Sequence, residues 1–135
     1  MERQRVLVID DDEIFNLMAN FILRDVGITV NPQCFTNGPE ALAYLDRHRT
    51  THTDYLVFLD INMPMMSGWE ILDHLEALPN RHHIHVIIVT SSIDRADREK
   101  AATFRQVVDY MVKPLNRELL ATLKNHEKTA PFFLR

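Results

Sequence analysis

The stretch DYLVFLDINMPMMSGWEILDHLEAL, residues 54–78, decides the fold. From Tyr55 to Leu59 it carries no charge, and Asp60 closes the run. A run that is apolar throughout, rather than alternating, suits a strand covered on both faces, as in parallel sheets. Pro64 and Gly68 punctuate residues 61–68 as a loop, and residues 69–78 read as a helix stopped by Pro79. Strand, acid, loop and helix make one β-α unit.

The same unit recurs on both sides. VLVI, residues 6–9, is a short strand ending on Asp10, Asp11 and Asp12. EIFNLMANFILRDVG, residues 13–27, follows, with Ile14, Leu17, Met18, Phe21 and Ile22 at helical spacing and Gly27 just past the helix end. ITVNPQCF, residues 28–35, is a weak strand, because Pro32 lacks the donor a central strand needs and so belongs at an edge. Residues 37–49 predict a helix with Pro39 in its tolerant first turn and Leu42, Tyr44 and Leu45 on the buried side. HVIIVT, residues 85–90, is a buried strand; residues 92–104 form a polar helix with Asp94 as its N-cap. VVDYMVKP, residues 107–114, is the fifth strand, and residues 116–128 close as a helix capped by Asn116. Five β-α repeats predict an α/β fold with a doubly wound, five-stranded parallel sheet.

Composition limits the function classes. The 135 residues suit one domain, with 46% hydrophobic and 25% charged residues. The one cysteine, Cys34, excludes an intramolecular disulfide framework and reads as an inert thiol on the edge strand. Fifteen Lys+Arg against 19 Asp+Glu, a net charge of −4, disfavours bulk electrostatic binding to DNA or anionic membranes. No window approaches the roughly 20 apolar residues of a membrane span or the roughly 7–15 of a secretory signal. A cytoplasmic protein with no membrane insertion and no direct DNA binding is expected.

In doubly wound sheets ligands bind outside the carboxyl ends of the strands, at the point where strand order reverses. The residues predicted there are Asp10, Asp11 and Asp12 after the first strand, Asp60 after the third, Thr90 and Ser91 after the fourth, and Lys113 after the fifth. Asp12 reads best as a helix N-cap. Crowded carboxylates raise one another's pKa unless a cation neutralises them. A hard divalent ion such as Mg²⁺, typically bound by one or two carboxylates with waters and phosphate oxygens, is the natural counter-charge. The set reads as a phosphoryl-transfer site, with a carboxylate as nucleophile because no strand-end Ser, Cys or His has a base beside it.

The segments VLVIDDDE, YLVFLDINMPMMSGWEIL, HVIIVTSS and VDYMVKPL, in this order, make the chain resemble the receiver domain of bacterial two-component response regulators, and most of all the single-domain, chemotaxis-regulator-like ones. The resemblance runs from about Arg5 to about His126, which implies a receiver domain over residues 1–127, a short tail over 128–135 and no output domain. It implies a flavodoxin-like (βα)5 fold with strand order 2-1-3-4-5. Asp60 matches the phosphoacceptor. Asp10, Asp11, Asp60 and the backbone carbonyl of Asn62 match the Mg²⁺ ligands. Thr90 and Lys113 match the phosphoryl-binding residues, and Tyr110 the aromatic whose rotamer reports activation. Asn62 and Ser92 match positions that tune the lifetime of the phosphorylated state.

The implied activity is acceptance of a phosphoryl group from a sensor histidine kinase or histidine phosphotransfer protein. The output is a switch of the face formed by the fourth helix, fifth strand and fifth helix, or relay of the phosphate. The protein would catalyse only its own phosphorylation and dephosphorylation. The downstream target stays unspecified, and a phosphorylation-dependent homodimer stays open. Two alternatives remain: a dehalogenase-like phosphatase using Asp10, and a binding module that has lost the need for phosphorylation. His82, His83 and His85 in HHIH read as a solvated loop rather than a metal site, and Met63, Met65 and Met66 as loop core or an adaptable partner surface. Trp69 reads as packing, and Phe132, Phe133 and Leu134 as a tail that is frayed or packed back on the domain.

Overall fold

The computed structural model describes residues 3–28, 31–47 and 52–133. Five strands alternate with five helices: β1 (Arg3–Ile9), α1 (Glu13–Asp25), β2 (Gln33–Phe35), α2 (Gly38–Arg47), β3 (Thr53–Leu59), α3 (Gly68–Glu76), β4 (Ile84–Thr90), α4 (Arg95–Ala101), β5 (Val107–Val112) and α5 (Arg117–Ala121). All pairings are parallel and the sheet order is β2-β1-β3-β4-β5. The expected fold class and strand order are those observed.

Side chains alternate across the sheet and separate two cores. Leu7, Ile9, Val57, Leu59, Val86 and Ile88 point to the face covered by α2 and α3. Val6, Val8, Leu56, Phe58, Ile87 and Val89 point to the face covered by α1 and α5. Reversal of order at β1 leaves the carboxyl ends of β1 and β3 side by side, joined where Asp60 N–H donates to Ile9 O at 3.0 Å.

The helix ends follow local chemistry. Asp12 accepts from the backbone N–H groups of Ile14 and Phe15, Ser67 from Glu70, Asp94 from Ala96 and Asn116 from Leu119. Gly27 takes φ 100°, the left-handed conformation that ends α1.

Three expectations are corrected. The apolar face of α1 read from spacing is not its buried face. Asn16, Ala19 and Leu23 pack inward, while Ile14, Leu17, Met18 and Phe21 are 53–71% exposed. Second, β2 is only three residues long. Ile28, assigned to it from sequence, instead bridges antiparallel to Phe133, and Thr29 and Val30 lie outside the described residues. Third, the last helix is short: α5 passes into a 3₁₀ turn over Thr122–Asn125, and the chain doubles back. Buried Thr129 donates to Leu123 O at 2.6 Å, and Phe132 and Phe133 enter the α1/α5 core. The folded unit therefore continues past residue 127 to Phe133; Leu134 lies outside the described residues.

Candidate functional site

The carboxyl edge of the sheet brings the expected residues together. Asp10 and Asp60 are buried and Asp11 is exposed, and one oxygen from each lies within 4.8 Å of the others. Asp10 is held from three sides. Its Oδ1 accepts from Asp12 N–H at 2.9 Å, its Oδ2 from Lys113 Nζ at 2.6 Å, and its carbonyl from Asn16 Nδ2 at 2.9 Å. Asp60 Oδ1 accepts from Asn62 N–H at 3.0 Å and Oδ2 from Lys113 at 3.1 Å.

The electrostatics follow from this packing. Burial pushes the Asp10 carboxyl above its ordinary value, and the neighbouring Asp60 charge adds to it, against the opposing bonds from Lys113 and Asp12. Burial works against the Lys113 charge, but its hydrogen bond to Asp10 and the Asp60 and Asp10 charges outweigh that and raise its pKa. Lys113 is thus a committed cation, 4.3 Å from the centroid of the Phe15 ring.

One lysine does not balance three carboxylates. The remaining negative charge and the convergence of three hard oxygen ligands fit a small divalent cation. Asp10, Asp11 and Asp60 are the side chains that would hold it.

Thr90, fully buried at the end of β4, is tied to the loop after Asp60. Asn62 Nδ2 donates to its Oγ1 at 3.3 Å, as does the Ser92 N–H. Ser92 Oγ donates to Asp97 at 2.6 Å, linking this loop to α4. Tyr110 lies inward, with its hydroxyl donating to Ser92 O at 3.0 Å and the Arg98 guanidinium over its ring at 4.7 Å.

Residues beyond the strand ends also shape the site. Gly68 does more than punctuate the loop. A Cβ there would stand 2.6 Å from both Asp60 O and Ile61 Cα, so the bare backbone of Gly68 shapes the Asp60 loop. Asn16 and Phe15, on α1, touch Asp10 and Lys113 respectively, contacts that no linear spacing announces. The methionines divide: Met63 is buried, Met66 half-buried and Met65 fully exposed at φ 69°. Trp69 stacks on Phe104 at 6.0 Å, a packing role. Among the described residues, the histidines of HHIH make no metal-ligating group; His83 Nδ1 sits 3.0 Å from Asp54. Cys34 is exposed on β2, and the partial burial of its sulfur raises the thiol pKa.

A parallel sheet with three carboxylates and a lysine converging at its order-reversal point defines a doubly wound α/β domain with a candidate cation site. The chain belongs to the response regulator receiver domain family, whose model matches residues 6–124. It is 31% identical to the chemotaxis protein CheY of Pseudomonas aeruginosa, across 86% of this chain and 89% of that protein. A two-component response regulator from Cytophaga hutchinsonii superposes with a TM-score of 0.78 at 30% identity, covering 93% of this chain and 96% of that one. A relative of different build is the cyclic di-GMP phosphodiesterase response regulator RpfG of Xanthomonas campestris, 30% identical across 89% of this chain; the chain spans 31% of its length. Phosphoryl acceptance is the general role of this family, and histidine kinases are its general donors. Among the described residues no helix is long and apolar enough to cross a membrane.

Proposed function

We propose that this chain is a cytoplasmic response regulator receiver that takes a phosphoryl group onto Asp60 from a phosphohistidine. The observation that carries this reading is the Asp10–Lys113–Asp60 bridge, which presents one buried carboxylate at the pocket with a cation already against it. An Asp60 carboxylate oxygen attacks phosphorus, a P–O bond forms and the P–N bond breaks. The imidazole leaves with the electron pair and is protonated from solvent. Lys113 is positioned to neutralise charge building on the equatorial oxygens, the electrostatic contribution that usually matters most. Mg²⁺, when bound by Asp10, Asp11, Asp60 and the Asn62 carbonyl, would supply further positive charge there. Water later hydrolyses the acyl phosphate, so the protein acts only on its own phosphorylated state.

The donor is read as a protein because the pocket mouth is apolar on one side. Ile14, Phe15, Met18 and Ile22 of α1 line a groove of about 310 Å³ with Lys113 and Pro114. Exposed apolar surface of this kind marks a protein-contact site, and a helix carrying the phosphohistidine fits it.

Thr90 is the residue that would turn to donate to the new phosphoryl oxygens. Releasing its bonds to Asn62 and Ser92 would loosen the loop that holds Tyr110 and α4. That route carries the signal to the α4-β5-α5 face, or the phosphate is relayed onward. Incubation with acetyl phosphate and Mg²⁺, followed by intact mass, tests the reading: the wild type gains one phosphoryl group and Asp60→Asn gains none. Equal labelling of the two proteins contradicts it.

A further inference from the structure

At the opposite end of the sheet, about 20 Å from Asp60 at roughly 3.3 Å per strand residue, a cavity of about 400 Å³ opens between the C-terminal end of α3 and the start of β5. Its walls are basic: Arg81, His82, His85, Arg105 and Lys128 face one carboxylate, Glu76. We propose that this cavity is a second ligand site, which takes a small molecule bearing a diphosphate group.

Three fixed cations against one acid, in a chain of net charge −4, is a local inversion of sign. Clefts lined by one sign of charge focus the field and concentrate counter-ions. Asp54, whose charge acts on His85, is engaged by His83 at 3.0 Å. Two arginines offer planar forks that match phosphate oxygens in pairs, a geometry that a point charge lacks. Burial lowers the His85 pKa, so at neutral pH this imidazole brings an N–H rather than another charge, which suits a phosphate oxygen.

The floor is built rather than incidental. Gln106, 7% exposed, donates from Nε2 to Leu75 O at 3.3 Å and Arg81 O at 3.2 Å, which ties the end of α3 and the turn after it to β5. The volume lies in the range of about 300–1,000 Å³ that small-molecule sites occupy. The phosphoacceptor chemistry uses none of these residues, so the site stands or falls independently of Asp60.

The test is NMR titration with inorganic pyrophosphate in EDTA buffer at fixed ionic strength, with citrate as a polycarboxylate control and a phosphoserine peptide as a second arm. Saturable shifts centred on His82, His85 and Gln106 are expected, unchanged in Asp60→Asn. The exposed-side-chain double variant Arg105→Gln, Lys128→Gln should bind at least tenfold more weakly, and Lys124→Gln, outside the cavity, as tightly as wild type. Absence of saturation, undiminished affinity in the double variant, or shifts centred on Asp10 and Lys113 overturns the site. Citrate binding as tightly as pyrophosphate overturns the phosphate assignment. A phosphopeptide binding at least tenfold more tightly overturns the small-molecule one.

Discussion

Lys113 donates to Asp10 at 2.6 Å, closer than its 3.1 Å contact with Asp60. The lysine therefore restrains Asp10 as well as Asp60, and its removal leaves two buried carboxylates facing each other.

Lys113→Ala should lower stability without Mg²⁺ by about 1–3 kcal/mol, the range for a buried group left without its partner. Added Mg²⁺ should restore more of the loss than it adds to the wild type, because two acids freed of the ammonium bind a cation more tightly. Urea unfolding with and without Mg²⁺ measures both. Equal Mg²⁺ effects in the two proteins would count against the bridge as described.

Gly68→Ala should impair the site from outside it. The added Cβ meets the backbone of Asp60 and Ile61 at 2.6 Å, and neither can swing aside as a side chain would. Overpacking of this kind costs about 1–3 kcal/mol. Labelling by acetyl phosphate should slow by about tenfold or more, the change produced by roughly 1.4 kcal/mol. Labelling at the wild-type rate would show that the loop tolerates the shift.

Leu17→Glu and Phe21→Glu test the α1 face. Both side chains are exposed, at 59% and 64%, so folding should be unaffected. Transfer from a phosphohistidine protein should fall by about tenfold or more, with labelling by acetyl phosphate unchanged. A parallel loss in both assays would place the defect in the pocket rather than in donor docking.

His85 gives the pH dependence. Burial is the main cause of its lowered pKa; Asp54 pulls the other way, while Lys128, His83 and His126 reinforce it. The folded value lies below the ordinary 6.5, so on acidification the unfolded chain takes up the proton first. The contribution to stability is complete above pH 6.5 and is lost as pH falls through the folded value. His85→Gln should flatten the decline in unfolding free energy just below pH 6.5; an unchanged slope would contradict the assignment.

What was legible in the sequence was whatever depends on local order. Apolar runs closed by Asp10, Asp60, Thr90 and Lys113 mark strands and site together, because a parallel sheet brings its strand ends to one edge. Caps such as Asp12 and Asp94 were legible for the same local reason. The face of α1 was not. Periodicity reports that Ile14, Leu17, Met18 and Phe21 share a side, but Asn16 lies on the other side and is drawn inward by the Asp10 carbonyl. Contacts far apart in the chain were equally hidden. Phe132 and Phe133 gain their burial in the core under α1 and α5, and Gly68 gains its importance from Asp60.

Asp60 is the acceptor in the proposed reaction. Borohydride reduction of the chain after acetyl phosphate treatment, followed by peptide mass spectrometry, converts the acyl phosphate to homoserine in place. Homoserine is expected at position 60, with unmodified aspartate at positions 10 and 11. Homoserine at position 10 with Asp60 intact would contradict that assignment and favour the phosphatase-like alternative.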